Sequence, residues 1–164
     1  AGFSPSLGGS RGARSRSASV HDVSLMTPHL REGDVEEIHA STGKRAGYAL
    51  LQSYTISTWA KVAVNDRDFP VAMFGLCVQS PAIGVPWMIV TNEFPQIVRP
   101  FRRQCRMVVE EMQDQCAMLA NMVLATNTTA QRWLEWCGFT IHYRPTAFGP
   151  FNKLFYPFTR QRSV

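Results

Sequence analysis

Between Pro95 and Cys116 the apolar residues Ile97, Phe101, Cys105, Val108, Val109, Met112 and Cys116 recur at steps of three or four, with Arg102, Arg103, Arg106 and Glu110 on the opposite face. This spacing predicts an amphipathic helix of about six turns, the longest in the chain. An apolar stripe of that length has to be buried against another layer. The candidates are the short apolar runs that flank it, Trp87–Thr91 and Met118–Thr126, both of which read as strands, the first of a kind that lies centrally in a sheet.

The other elements arrange themselves around this unit. Asp22–Met26 alternates as a short strand, and Thr27-Pro28 turns the chain into a helix over Arg31–Ser41, where Asp34 is placed to act as a cap. A second helix over Ala46–Ile56 puts Tyr48, Leu51 and Thr55 on one face. Trp59–Val64 and Phe69–Val78 form a hairpin across the polar turn Asn65-Asp66-Arg67-Asp68, and Pro81–Pro86 breaks the chain before Trp87. Thr128–Cys137 is a short helix ended by Gly138, and Phe139–Tyr143 and Phe151–Phe158 are closing strands joined by the Pro145–Pro150 loop. The order βααβββαβαββ predicts a single α/β domain, a mixed sheet covered by helices, which 164 residues at 45% hydrophobic content can bury.

Residues 1–19 are rich in Ser, Gly and Arg with almost no apolar periodicity and read as a flexible basic arm; 20–159 form the domain and 160–164 a basic tail. Arg11, Arg14 and Arg16 in the arm and Arg160 and Arg162 in the tail account for the whole net charge of +5, so the body between them is neutral. These five arginines are the candidate contacts for DNA or an acidic partner, since a guanidinium binds phosphate or carboxylate bidentately. Cys77, Cys105, Cys116 and Cys137 form no CxxC pair and read as reduced core residues, and with His21, His29, His39 and His142 they form no metal-ligand pattern, so no metal is expected. No stretch is long and apolar enough to be a membrane segment, and the chain reads as soluble. Trp133 and Trp136, three apart on one helix, and the aromatic residues from Tyr143 to Phe158 read as packed side chains, and no catalytic base is assigned.

The segment Asn127-Thr-Thr-Ala130, continuing through Leu134 to Gly138-Phe139 after the strand MLANMVLA, resembles the closing motif of the GCN5-related N-acetyltransferase superfamily, and the element order over 20–158 is also similar to that fold. The resemblance implies a pyrophosphate cradle of the form Arg/Gln-x-x-Gly-x-Gly/Ala before the long helix. Residues 91–106 contain no glycine there, Pro95 and Pro100 remove two N–H donors, and Phe101 and Ile97 are expected to crowd a phosphate. The family's usual tyrosine acid falls on Leu134, which cannot donate a proton. From about Val71 to Phe158, and most clearly from Trp87 to Phe139, the chain also resembles the internal virion protein A proteins of short-tailed phages.

Those two resemblances imply a non-enzymatic virion structural or assembly protein on a degenerate acetyltransferase-like fold, without a cofactor, beside other virion proteins near the portal or ejection core, in the virion and the host cytoplasm. The alternative is an acetyl-CoA-dependent N-acetyltransferase, with Arg99, Arg102, Arg103 and Asn127 as cofactor contacts. A second alternative is a small nucleic-acid-binding protein.

Overall fold

The structure, a computed structural model, describes residues 14–163. In chain order the elements are β1 (Arg14–Ser17), α1 (Val20–Met26), α2 (Glu32–Thr42), α3 (Ala46–Ile56), β2 (Trp59–Val64), β3 (Pro70–Val78), β4 (Ile83–Val90), α4 (Val98–Gln115), β5 (Met118–Leu124), α5 (Thr128–Trp136), β6 (Thr140–Ile141), β7 (Thr146–Phe148) and β8 (Lys153–Gln161). Short 3-10 turns precede α2 and α4 at Thr27–His29 and Phe94–Gln96. The strands form one mixed sheet in the order β1-β2-β3-β4-β5-β8-β6, with β7 pairing β8.

The sheet carries an apolar core on each face. Phe74, Phe101, Val108, Val109, Met112 and Phe158 belong to the larger, and the stripe read from the sequence of α4 supplies much of it. Val23, Met26, Leu50, Val62, Met73 and Ile89 form the second. Alternation along β3 divides its side chains, with Phe74 going to one core and Met73 to the other.

Two expectations about the first elements are corrected. Asp22–Met26 is helical, not a strand. A capping box outweighs the brief alternation, since the Asp22 carboxylate accepts from Ser19 N–H at 2.8 Å while Ser19 Oγ accepts from Asp22 N–H. Residues 14–19, assigned to the arm, are β1 and that cap. Arg14–Ser17 pairs antiparallel with Lys61–Val64, and Arg16 grips the buried Asp22 through both terminal nitrogens at 2.8 Å. Residues 1–13, including Arg11, lie outside the described residues. The basic tail is likewise shorter than expected, because β8 runs through Arg160 to Gln161.

Further along, α3 has the expected limits but buries Ala49 and Leu50, leaving Tyr48 and Leu51 exposed. Its packed face is therefore not the one through Tyr48, Leu51 and Thr55. α2 starts at Glu32, and the Asp34 side chain leaves its own helix end to bond β4. The loop Pro145–Pro150 contains β7, which makes a hairpin with β8. Gly138 takes φ +89° after α5, the left-handed residue the motif requires.

Candidate functional site

β4 and β5 run parallel and pair only through Ile83↔Met118 and Gly84↔Leu119. Beyond that point they diverge, and the opening continues into a cavity of about 790 Å³ between the two layers. Pro86 explains part of the divergence. It faces the β5 side of β4, so it offers no N–H to a neighbouring strand, and its carbonyl instead accepts from Asn121 Nδ2 at 2.9 Å. Val90, four residues on, turns its backbone to the same side, and strand alternation directs the Met88 amide there too.

The open ends of both strands are closed by carboxylates of α2. Asp34 Oδ2 accepts from Val90 N–H at 2.8 Å, and Glu37 Oε1 accepts from Leu124 N–H at 2.8 Å and from Asn127 Nδ2 at 3.2 Å. Backbone amides left without a ladder partner in a buried place need such acceptors. The Arg31 guanidinium lies 2.6 Å from Asp34 Oδ1 and 3.3 Å from Asn127 Oδ1. Burial pushes both carboxyl groups above their ordinary range, outweighing Arg31 and the Val90 amide at Asp34, and the Leu124 amide and Asn127 at Glu37. Neither acid was identified from sequence as part of a site. Their i, i+3 spacing on a helix was visible, but their partners lie 56 and 87 residues away.

Shortly after the end of β4, α4 begins at Val98, which also lines the cavity, with Ile97 as an N-cap that offers no side-chain acceptor. Phe101 N–H bonds Ile97 C=O and Pro100 has no N–H, so Val98 and Arg99 carry the orphan amides of an 18-residue helix. The expected crowding by Phe101 and Ile97 does not occur. Both are buried in the core, with Phe101 between Phe74 and the Trp133 ring, so the outer face of this helix end belongs to arginines. Arg102 lines the cavity with its guanidinium 5.4 Å from the Trp136 ring centre, and Arg106 lies 3.6 Å from the same ring. Arg103 is exposed, and Arg99 faces a second, more polar cavity with Asn65 and Glu93.

The remaining candidates are engaged elsewhere. Asn127 is the N-cap of α5, accepting from Ala130 N–H at 3.3 Å and holding Glu37, which makes it a buried structural residue of the site. Arg14 meets Asp68 at 3.4 Å on the surface, and Arg16 is bound to Asp22. Arg160 donates to Gln113 Oε1 and Arg162 to the carbonyls of Gln113 and Asp114, where they satisfy the end of α4. Cys105 and Cys137 lie buried with 3.1 Å between sulfurs, and that contact together with burial pushes the Cys105 thiol strongly up.

No family model and no curated protein matches the chain. Solved structures do match. A GCN5-related N-acetyltransferase from Kribbella flavida superposes with a TM-score of 0.67 at 15% identity, covering 92% of this chain and 98% of that one. A spermidine N-acetyltransferase from Vibrio cholerae in complex with CoA and spermine gives 0.66 at 11% identity, covering 93% and 96%. A phosphinothricin acetyltransferase of the same superfamily from Sinorhizobium meliloti, in complex with acetyl-CoA, gives 0.62 at 12% identity, covering 91% and 88%. These likenesses overturn the expectation of a non-enzymatic virion protein, because they run to acetyltransferases, several holding CoA or acetyl-CoA, and nothing in them supports a virion, portal or assembly role. Among the described residues no helix is long and apolar enough to cross a membrane. The chain has the GCN5-related N-acetyltransferase fold, a mixed α/β sheet opened between β4 and β5.

Proposed function

We propose that this chain is an acetyl-CoA-dependent N-acetyltransferase that works in the wedge between β4 and β5. The observation that carries the reading is the divergence of these strands after two paired residues into a cavity of about 790 Å³, lined both by Val98 at the unsatisfied end of α4 and by the Asp34 and Glu37 carboxylates of α2.

The residues present fit an acyl thioester. The Met88 amide faces the gap, and the amides of Val98 and Arg99 remain as donors at the positive end of α4. Arg102, which lines the cavity, and its exposed neighbour Arg103 take the place of the glycine-rich loop that would otherwise supply backbone donors, while Arg99 faces the second cavity. Guanidinium groups bind phosphate oxygens in charge-assisted pairs, so they replace the missing glycines by side chain. Phe94, Phe101 and Trp133 pack on one another below that surface, which keeps water from the wall of the wedge. The CoA thioester, when bound, supplies an acyl carbon activated for attack by an amine. Leu134 lines the cavity and leaves this position without an acid, so protonation of the departing sulfur does not come from the side chain at that place.

The test is thiol release from acetyl-CoA by purified protein in the presence of primary amines. Release above background that saturates in both reactants supports the reading. No release, with no binding of acetyl-CoA, contradicts it.

A further inference from the structure

We infer that Glu37 is the catalytic base of this site and that the acceptor is a primary amine carried on an apolar body. The inference rests on the acetyltransferase reading above.

Glu37 uses one oxygen for structure and leaves the other open. Both of its hydrogen bonds, from Leu124 N–H and from Asn127 Nδ2, fall on Oε1, and Oε2 accepts none from the described residues. Charge distinguishes it from its neighbour. Asp34 takes the Arg31 guanidinium at 2.6 Å, which leaves Glu37 lining the cavity without an ion pair to a described residue. A half-buried carboxylate with no cation of its own is a counter-ion for an incoming ammonium and then an acceptor for its proton.

The walls beside it define the rest of the acceptor. Glu37 holds Leu124, whose cross-strand partner is Phe155, and Phe148 packs on Phe155 at 5.1 Å between ring centres. Ile38 from α2 and Met122 from β5 line the same cavity. The surface next to the carboxylate is therefore aliphatic and aromatic, which suits an arylalkyl or alkyl amine better than a polyamine.

In the step, the ammonium gives one proton to Glu37 Oε2. The freed nitrogen lone pair forms the new C–N bond as the thioester C–S bond breaks, and that electron pair leaves with sulfur. The second proton shed by nitrogen goes to sulfur, and Glu37 returns its own to solvent. Burial raises the Glu37 carboxyl most, opposed by the Leu124 amide of β5 and the Asn127 side chain at the start of α5, with smaller effects from Asp34 of α2 and Arg31 at its cap.

Glu37→Gln tests the assignment, because glutamine keeps the Oε1 acceptor for Leu124 and Asn127 while removing the base. The probes are 2-phenylethylamine and spermidine with acetyl-CoA. For the variant we expect the melting temperature and the KM for acetyl-CoA to stay within about twofold or a degree of wild type, and kcat with 2-phenylethylamine to fall by about 10²–10⁴. Calorimetry without acetyl-CoA should show 2-phenylethylammonium binding wild type at least tenfold more tightly, and binding to wild type should weaken as acid protonates the carboxyl, a readout that does not depend on the variant folding. A Glu37→Gln protein that transfers as fast as wild type overturns the base and leaves the acetyltransferase reading standing. Transfer to spermidine in preference to 2-phenylethylamine overturns the acceptor class. Absence of both transfer and acetyl-CoA binding in wild type overturns the reading and the inference with it.

Discussion

Replacing Asp22 by alanine removes a carboxylate that accepts four hydrogen bonds, two from Arg16 at 2.8 Å and two from Ser19, through its N–H at 2.8 Å and its Oγ at 3.1 Å. The Asp22 side chain is 2% exposed and that of Arg16 41%, so in the variant Arg16 rehydrates rather than remaining as a buried, unpaired charge. The expected cost is consequently below the value for stripping a fully buried pair. The lost capping contribution is about 1 kcal/mol, and the charge-assisted bonds to Arg16 raise the total to about 3 kcal/mol. For a chain of this length that corresponds to a melting temperature lower by about 6–12 °C. Arg14→Ala is the control, because Arg14 and Asp68 are 68% and 65% exposed at 3.4 Å, and it should stay within about 0.5 kcal/mol of wild type.

Acid supplies a second check on the same group. Burial raises the Asp22 carboxyl, but the hydrogen bonds from Arg16 and Ser19 outweigh it and hold the group below its ordinary value. A depressed carboxyl stabilises the fold above its unfolded value, near pH 4, and that contribution disappears as pH falls through the lower folded value. The gap between wild type and Asp22→Ala in urea titrations should be full at neutral pH and shrink below about pH 4. A variant within about 0.5 kcal/mol of wild type at pH 7, or a gap that persists unchanged in acid, would refute the argument.

Deleting residues 1–19 removes β1 and the cap of α1, and the shortened protein should melt at least as far below wild type as Asp22→Ala does. Gly149 sits at φ +77°, where an added Cβ would lie 2.2 Å from the Ala40 carbonyl, so Gly149→Ala should loosen the β7–β8 hairpin from α2, seen as faster amide exchange in Lys153–Gln161. Gly138→Val, at φ +89°, should cost about 1–2 kcal/mol in thermal unfolding. On the acetyltransferase reading, in which Arg102 holds a phosphate of CoA, Arg102→Ala should raise the KM for acetyl-CoA by about tenfold with kcat retained, since such a contact binds ground and transition states alike.

Sequence reading succeeded where one segment carries its own period. α4, the hairpin of β2 and β3, and α5 with Gly138 after it stand close to their expected limits because a stripe, a polar turn or a cap is written locally. It failed for β1, whose Arg and Ser side chains have no apolar alternation and whose strand character comes entirely from pairing with β2. In α1 the five-residue alternation is outweighed by the Ser19 and Asp22 capping box. The wedge was half legible. The absence of glycine before α4 and the presence of arginines were plain, yet the inward turn of Phe101 and Ile97 and the meeting of α2 carboxylates with the ends of β4 and β5 arise only from the packed sheet. The functional expectation is overturned for the same reason, since the cavity that the strands enclose is written in no single segment.

The central claim is that the wedge between β4 and β5 accepts acetyl-CoA, and melting of the purified protein over a range of acetyl-CoA concentrations tests it most directly. Ligand at 100 times its dissociation constant should add about 2.7 kcal/mol, a rise of roughly 5–11 °C, and the rise should shrink in an Arg102→Ala, Arg103→Ala protein. An unchanged melting temperature at millimolar acetyl-CoA would contradict the account.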